Sequence, residues 1–117
     1  ANDETMIVVL IEDIIAIDNL DEILTVDHID AFYVAPGDLA QTMGYIGQPN
    51  HPEVLETIDA AIEKIVASGR TAGALVNTDT VDDYIQKGAR FFFMNWHGWA
   101  TTGAQIYLDK VKNLSSS

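Results

Sequence analysis

Four short, continuously apolar segments, separated by longer amphipathic ones, constrain the fold of this chain most strongly. None of the four alternates between apolar and polar residues, which is typical of strands buried on both faces of a parallel sheet. They are Met6–Ile11, Ala31–Val34, Thr71–Val76 and Phe91–Met94. Parallel neighbours need long crossover connections, usually helices. The sequence therefore predicts an α/β fold made of four consecutive βα units.

The segments between and after these strands carry helical periodicity. The clearest extends from Pro52 to Ala67, where apolar residues recur at spacings of three and four. Pro52 suits the first position of a helix, and Gly69 suits its end. Three shorter helices are predicted: one capped by Asp18-Asn19, one capped within residues 78–80 and ending near Gly88, and one from about Gly103 to Leu114 with Ala104, Tyr107, Val111 and Leu114 on one stripe.

Two architectures accommodate this order of elements: an open doubly wound sheet, or part of a barrel. A (β/α)₈ barrel has about 250 residues, whereas this chain has 117. Four strands cannot close a barrel, and a half barrel leaves two apolar edge strands unpaired, which favours aggregation. We therefore expect residues 1–117 to form one structural unit that pairs with its own missing half, another copy or a separate chain.

Composition excludes several classes of partner. With 18 acidic and 6 basic residues, the formal net charge is −12, which disfavours nucleic-acid and anionic-membrane partners. The longest apolar run, Met6–Ile11, is far shorter than the roughly 20 residues that cross a bilayer, and the N-terminal residues do not resemble a signal peptide. The absence of cysteine excludes disulfides and thiol chemistry and fits a reducing compartment. We expect a cytoplasmic protein.

Two carboxylates lie at the predicted carboxyl ends of neighbouring strands. Glu12 directly follows the first strand, and Asp38 follows the second after Ala35-Pro36-Gly37. Active sites of parallel α/β folds collect at this edge. Two carboxylates completed by water and substrate suit Mg²⁺ or Mn²⁺. Spacing alone leaves an alternative open, in which Glu12 is a helix-start charge and Asp38 is a helix N-cap.

The remaining strand ends add polar and aromatic candidates. Leu75-Val76-Asn77 follows the third strand, and Asn95 to Trp99 follows the fourth. Of the three histidines, His97 is the one expected at this edge. His28 is expected in a loop at the opposite end, and His51 in the cap region of a helix. Two interpretations stay open for Trp96 and Trp99: they line a pocket, or they pack beneath the last helix.

Several longer motifs resemble one family. They are MIVVLIED around Glu12, NLDEIL at 19–24, DAFYVAPGDLAQTMGYIGQPNHPEV at 30–54, GRTAGALV at 69–76 and GARFFFMNW at 88–96. From Ile7 to Leu114 the chain resembles the second half of the HpcH/HpaI aldolases, the metal-dependent class II aldolases of pyruvate and other 2-keto acids. The resemblance implies that the fold is the C-terminal half, four βα units, of a (β/α)₈ TIM barrel.

The resemblance also implies a site. Glu12 and Asp38 match the ligands of a divalent metal, Mg²⁺, Mn²⁺ or Co²⁺, and Leu75 matches a residue on the aldehyde side of the pocket. The implied reaction is cleavage or formation of a 4-hydroxy-2-keto acid from pyruvate and an aldehyde, with the metal as Lewis acid. The expected substrate-binding residues are Ala35, Pro36, Gly37, Asp38, Leu75 and Trp96.

The family's catalytic base, a histidine, and its carboxylate-binding arginine belong to the first half of the barrel, which this chain lacks. We therefore expect no catalytic residue here, little activity from the chain alone, and partnership with an N-terminal half in a homo-oligomer, a hexamer by resemblance. Departures from the family pattern at Leu10, Ala35, Gly37 and 95–99 leave the aldehyde undetermined. Two alternatives stay open: a citrate-lyase-like acyl-CoA lyase, and a noncatalytic half-barrel module.

Overall fold

Four parallel strands, paired in the order in which they occur along the chain, form a single sheet in the computed structural model, which describes residues 2–116. They are β1 (Val8–Ile11), β2 (Ala31–Val34), β3 (Ala72–Val76) and β4 (Phe91–Met94). All four predicted strands are present. β1 begins at Val8 rather than Met6, because the N–H of Ile7 donates to the Asp30 carboxylate at 2.7 Å instead of to a neighbouring strand.

The strand order decides between the two predicted architectures. A doubly wound sheet changes direction at a switch point, so that later strands add beside the first. Here the order β1-β2-β3-β4 never reverses. Since βα crossovers are right-handed, the three successive crossovers in one direction place the connecting helices on one face of the sheet. The structure is therefore four consecutive units of a barrel wall.

Six α-helices connect or follow the strands. The helices are α1 (Ile14–Asp18), α2 (Leu20–Ile23), α3 (Pro36–Thr42), α4 (Pro52–Ala67), α5 (Val81–Gln86) and α6 (Trp96–Ser115). A 3₁₀ turn at Asn2–Glu4 precedes β1. The bounds of α4 agree with the prediction, and Gly69 follows it with φ 80°.

The core lies between the sheet and α4. Phe32, Val34, Ile62 and Ile65 are fully buried in it. The spacing of Ile58, Ile62 and Ile65 turns one stripe of α4 onto the strands. Burying each such side chain contributes about 1.5–3 kcal/mol, so this layer supplies most of the packing that fixes the strand ends.

The prediction for the last helix was wrong at its start. Helix α6 begins at Trp96 rather than Gly103, with Asn95 as its N-cap in extended conformation. Gly98 and Gly103, with two threonines between them, have low intrinsic helix propensity, which hid the first two turns. The predicted stripe does not pack: no residue of α6 is buried, and Tyr107 and Leu114 are largely exposed. Neither α6 nor any other helix of residues 2–116 combines the length and apolarity needed to cross a bilayer.

Candidate active site

Side chains on the sheet face away from the helices form an aromatic layer, here called the lumen face. The register places Leu10, Tyr33, Gly73 and Phe91 side by side across the four strands. The ring of Tyr33 lies 4.3 Å from that of Phe93, measured between centroids. A Cβ on Gly73 would lie 3.1 Å from both the Phe91 ring and the Tyr33 Cα. Glycine here leaves room for the aromatic rings to meet.

Glu12 continues this face at the carboxyl edge. Ile11 points into the helix-side core, so the alternation along β1 puts Glu12 on the same side as Leu10. Glu12 is half-buried. The helix-start role belongs to its neighbour: the Asp13 carboxylate accepts from the Ile15 N–H at 2.7 Å and caps α1. The alternative interpretation of Glu12 as a helix-start charge is therefore wrong.

Asp38 is the third residue of α3, and the N-cap of that helix is Ala35. The alternative interpretation of Asp38 as an N-cap is therefore also wrong. Helix α3 buries Leu39 and Ala40 against the sheet and leaves Asp38 exposed. Burial raises the pKa of Tyr33, and the negative charge of Asp38 raises it further. Asp38 thus lies close enough to the lumen face for its charge to act there.

The pairing of β1 with β2 brings the two carboxylate-bearing segments to one edge. Ile11 is the register partner of Val34, and the Ala35 N–H donates to the Ile11 carbonyl at 3.0 Å. Glu12 therefore starts beside the segment that carries Asp38. Since Pro36 has no N–H, the N–H groups of Gly37 and Asp38 are the first of α3 that intrahelical bonds leave unsatisfied. The segment from Ala35 to Asp38 therefore contains both N–H groups that suit an anion and the carboxylate of Asp38.

The donor set at this edge fits a hard divalent cation. Within residues 2–116, neither Glu12 nor Asp38 has a lysine, arginine or histidine partner, and no third ligating side chain joins them. Asp38 is exposed and Glu12 is half-buried, so neither carboxylate is enclosed by the protein. Mg²⁺ and Mn²⁺ bind in this way, through one or two carboxylates, with water and substrate oxygens completing the shell. A closed structural zinc site would need four protein ligands.

A cleft of about 830 Å³ lies across the carboxyl ends of β2, β3 and β4. Pro36 and Leu75, both predicted to bind substrate, line it, and so does Trp99. Trp96 is 64% exposed and stacks on His97 with ring centroids 4.4 Å apart, outside that lining. The polar residues that line it are Asn50, Asn77, Thr78, Asp79, Thr80, Tyr84, Asn95 and Thr102.

The structure also shows where the other two predicted histidines lie, and it adds two residues that sequence reasoning missed. The His51 Nδ1 accepts from the Glu53 N–H at 3.2 Å and caps α4, as predicted. His28 is exposed in the loop before β2, with φ 64°. Sequence reasoning missed Tyr33 and Asn50. The alternation of side chains along β2 could have predicted that Tyr33 faces the lumen, since it lies two residues before Ala35. Asn50 carries no such signal, because the packing of the loop before α4 alone brings it to the cleft.

The fold defines a recognisable class: four consecutive βα units of a (β/α)₈ barrel, with Glu12 and Asp38 in the segments that follow two neighbouring strands. Residues 1–101 match the sequence profile of the HpcH/HpaI aldolase/citrate lyase family. The chain belongs to this family.

Individual relatives agree with the assignment. A hydroxypyruvate/pyruvate aldolase of Cupriavidus necator is 40% identical, with 100% of this chain and 42% of the relative covered. A 4-hydroxy-2-oxo-heptane-1,7-dioate aldolase of Escherichia coli is 41% identical over 78% of this chain and 35% of its own length. The crystal structure of an HpcH/HpaI aldolase from Desulfitobacterium hafniense superposes with a TM-score of 0.77 at 27% identity, covering 95% of this chain and 44% of that one. The chain thus spans less than half the length of these relatives.

Proposed function

We propose that this chain supplies the metal-binding half of a class II aldolase that cleaves or forms 4-hydroxy-2-keto acids. The observation that carries the proposal is the pair of unpartnered carboxylates, Glu12 and Asp38, at neighbouring strand ends in a chain that belongs to an aldolase and lyase family. The names of its relatives support the same class of reaction.

Each part of the site has a distinct task in this reaction. Glu12 and Asp38 hold the cation, for which Mg²⁺, Mn²⁺ and Co²⁺ are the candidates. Bound there, a divalent cation would polarise the 2-keto oxygen and stabilise the enolate that forms when the C3–C4 bond breaks. The N–H groups of Gly37 and Asp38 face the carboxylate of the keto acid, as the first turn of a helix suits an anion. Leu75 lines the aldehyde side, and Trp96, which stacks on His97 outside the cleft, is assigned to that side by family resemblance alone.

The remaining groups come from the other half of the barrel. Cleavage needs a base to take the proton of the 4-hydroxyl group, and that base must lie within hydrogen-bond reach of it. His51 caps α4, and His28 lies in the loop before β2. We propose that the base histidine and the carboxylate-binding arginine are contributed by an N-terminal half, so that residues 1–117 act as the second half of one domain.

Pyruvate release tests the proposal. The chain completed by an N-terminal half of the family should release pyruvate from a 4-hydroxy-2-keto acid, lose this activity in EDTA and regain it with Mn²⁺ or Co²⁺. Glu12→Gln should abolish both Mn²⁺ binding, followed by calorimetry, and pyruvate release. The matched variant Glu22→Gln, at an exposed position of α2, should change neither. Cleavage of acyl-CoA thioesters without release of pyruvate from keto acids would favour the citrate-lyase-like alternative instead.

Family resemblance also supports an assembly. We propose a cytoplasmic homo-oligomer, with the hexamer as its expected form. The uncovered apolar residues of α6, among them Ile106 and Leu108, offer surface for such contacts. Light scattering on the completed barrel measures its mass, and a monomer at working concentrations would exclude the assembly without affecting the proposed chemistry.

A further inference from the structure

Tyr33 is a buried, hydroxyl-bearing side chain of the lumen face to which the proposed chemistry gives no task. The residue is only 7% exposed, and its hydroxyl group makes no hydrogen bond within residues 2–116. By contrast, the Tyr45 hydroxyl donates to the Glu53 carboxylate. A tyrosine hydroxyl that is withdrawn from water usually has a hydrogen-bond partner. The Tyr33 hydroxyl therefore needs an acceptor, either from the other barrel half or from the site at the carboxyl edge.

The sheet register places Tyr33 one layer below the proposed metal ligands. Its partner across β1 is Leu10. Because successive residues of a strand alternate between the two faces, the next lumen-face layer consists of Glu12 after β1 and Ala35 after β2. Asp38 lies in the first turn of the helix for which Ala35 is the N-cap. Tyr33 thus belongs to the layer directly beneath the carboxyl edge that carries both carboxylates.

Packing within this chain holds the Tyr33 ring in place. Its centroid lies 4.3 Å from that of Phe93, with 38° between the ring planes. On the neighbouring strand, a Cβ at Gly73 would lie 3.1 Å from the Tyr33 Cα and 3.2 Å from its Cβ, so the two backbones approach closely. Tyr33→Phe keeps these contacts and removes only the hydroxyl group. The variant therefore separates the role of the hydroxyl from that of the ring.

Asp38 is the charged group that acts on this hydroxyl. Burial raises the pKa of Tyr33, and the negative charge of Asp38 raises it further. The phenol therefore stays protonated at neutral pH and can donate a hydrogen bond. The exposed Asp38 side chain forms no ion pair or hydrogen bond within the described residues. Carboxylates that bind metals are usually oriented by hydrogen bonds from neighbouring groups.

We propose that Tyr33 is a positioning residue of the metal site, whose hydroxyl group donates to the Asp38 carboxylate and orients it towards the cation. This inference rests on the proposed metal-dependent function. The two groups complement each other, because a buried donor lacks an acceptor and an exposed ligand lacks a group that orients it. Tyr33 acts through Asp38 and is not a metal ligand. Loss of such a partner lowers metal affinity by about 10–100-fold.

The test uses the polypeptide as its own gene encodes it and measures Mn²⁺ affinity by calorimetry. Tyr33→Phe should weaken Mn²⁺ binding by about tenfold or more, whereas kcat at saturating Mn²⁺ should change much less. Tyr107→Phe, the same change at an exposed position of α6, should alter neither. Addition of Mg²⁺ should also produce a tyrosine signal in the near-ultraviolet difference spectrum, which Tyr33→Phe abolishes and Tyr107→Phe retains.

The outcomes separate this inference from the function on which it rests. Unchanged Mn²⁺ affinity in Tyr33→Phe overturns the inference, and a lower urea midpoint in that case would show that the other barrel half accepts the hydroxyl. Equal weakening in Tyr33→Phe and Tyr107→Phe also overturns it. Both results leave the aldolase function intact. A wild type that binds no Mn²⁺ and releases no pyruvate overturns both. Weaker Mn²⁺ binding confined to Tyr33→Phe, with loss of the tyrosine signal, supports the assignment.

Discussion

The two faces of the sheet differ in what covers them. On the helix face, Phe32, Val34 and Ala74 are buried beneath α4. On the lumen face, Leu10 remains 51% exposed and Phe93 42% exposed, and the two carboxylates of the proposed metal site continue that face at the strand ends. Alternate residues of the same short strands therefore differ in their packing. One set completes a core within this chain, whereas the other is partly uncovered and, in our proposal, faces a second barrel half and a substrate.

The largest difference between the two faces should appear when a proposed metal ligand is removed from the lumen face. Glu12→Gln keeps the size of the side chain and removes its charge. We expect it to lower kcat/KM of the completed barrel about a thousandfold, since Lewis-acid stabilisation contributes several kcal/mol. The free energy of unfolding should change by no more than about 0.5 kcal/mol. Steady-state pyruvate release and urea denaturation measure the two quantities. Equal loss of stability and activity would show that Glu12 belongs to the core.

The opposite pattern is expected on the helix face. Ile62 is fully buried in α4, and Ile62→Ala should lower the free energy of unfolding by about 2–5 kcal/mol, because it removes buried methylene groups and leaves a cavity. Its neighbour Glu63 is exposed, so Glu63→Ala serves as the matched control with a change of no more than about 0.5 kcal/mol. Urea denaturation gives both values. Similar values for the two variants would refute the packing described for α4.

A third variant tests whether the lumen face is itself close-packed. In Gly73→Ala the new methyl group meets the Phe91 ring and the Tyr33 Cα, both at 3.1 Å. The ring can rotate, but the backbone of β2 cannot move without disturbing the register. We expect a loss of about 1–3 kcal/mol from overpacking together with a changed near-ultraviolet circular dichroism spectrum. A neutral effect on both would mean that the aromatic layer is loosely packed.

The smallest expected difference appears at alkaline pH. The pKa of Tyr33, on the lumen face, is raised by burial and by Asp38, and that of Tyr84, on the helix face, by burial and by Asp59. A pKa raised in the folded state gives stability that is complete below the unfolded value of 10.0 and is lost as the pH rises through the folded value. Urea midpoints between pH 8 and pH 12 should fall less steeply in Tyr33→Phe and in Tyr84→Phe. An unchanged slope in Tyr33→Phe would mean that this ring ionises as freely as in solution.

The sequence predicted the helix face better than the lumen face, for physical reasons. Continuous apolar strands and the stripe of α4 reflect burial within the chain, so the bounds of β2, β4 and α4 were predicted correctly. Helix α6 lacks that signal: it buries none of its residues within the described chain, and its glycine-containing start obscured its first turns. The strands that precede Glu12 and Asp38 are neighbours because of the strand order, and alternation and spacing alone left that order open between two architectures.

The residues that line the cleft were the hardest to foresee. Leu75 and the Pro36 loop were predicted from family motifs, whereas Asn50 and Thr102 lie far apart in sequence and line the same cleft only because the chain folds. Local patterns cannot show such a meeting, since it depends on how several elements pack together. Trp96, predicted to bind substrate, stacks on His97 outside the cleft, and its role remains a prediction.

We propose that this chain holds the metal-binding half of an aldolase site and that the catalytic base lies on another barrel half. The most direct measurement compares pyruvate release, with Mn²⁺ present, by the 117-residue chain alone and by the chain mixed with the N-terminal half of the Cupriavidus necator aldolase, to which it is 40% identical. We predict EDTA-sensitive release from the assembled mixture and little from either part. Equal release by the chain alone, or none from a mixture that light scattering shows to be assembled, would contradict the claim.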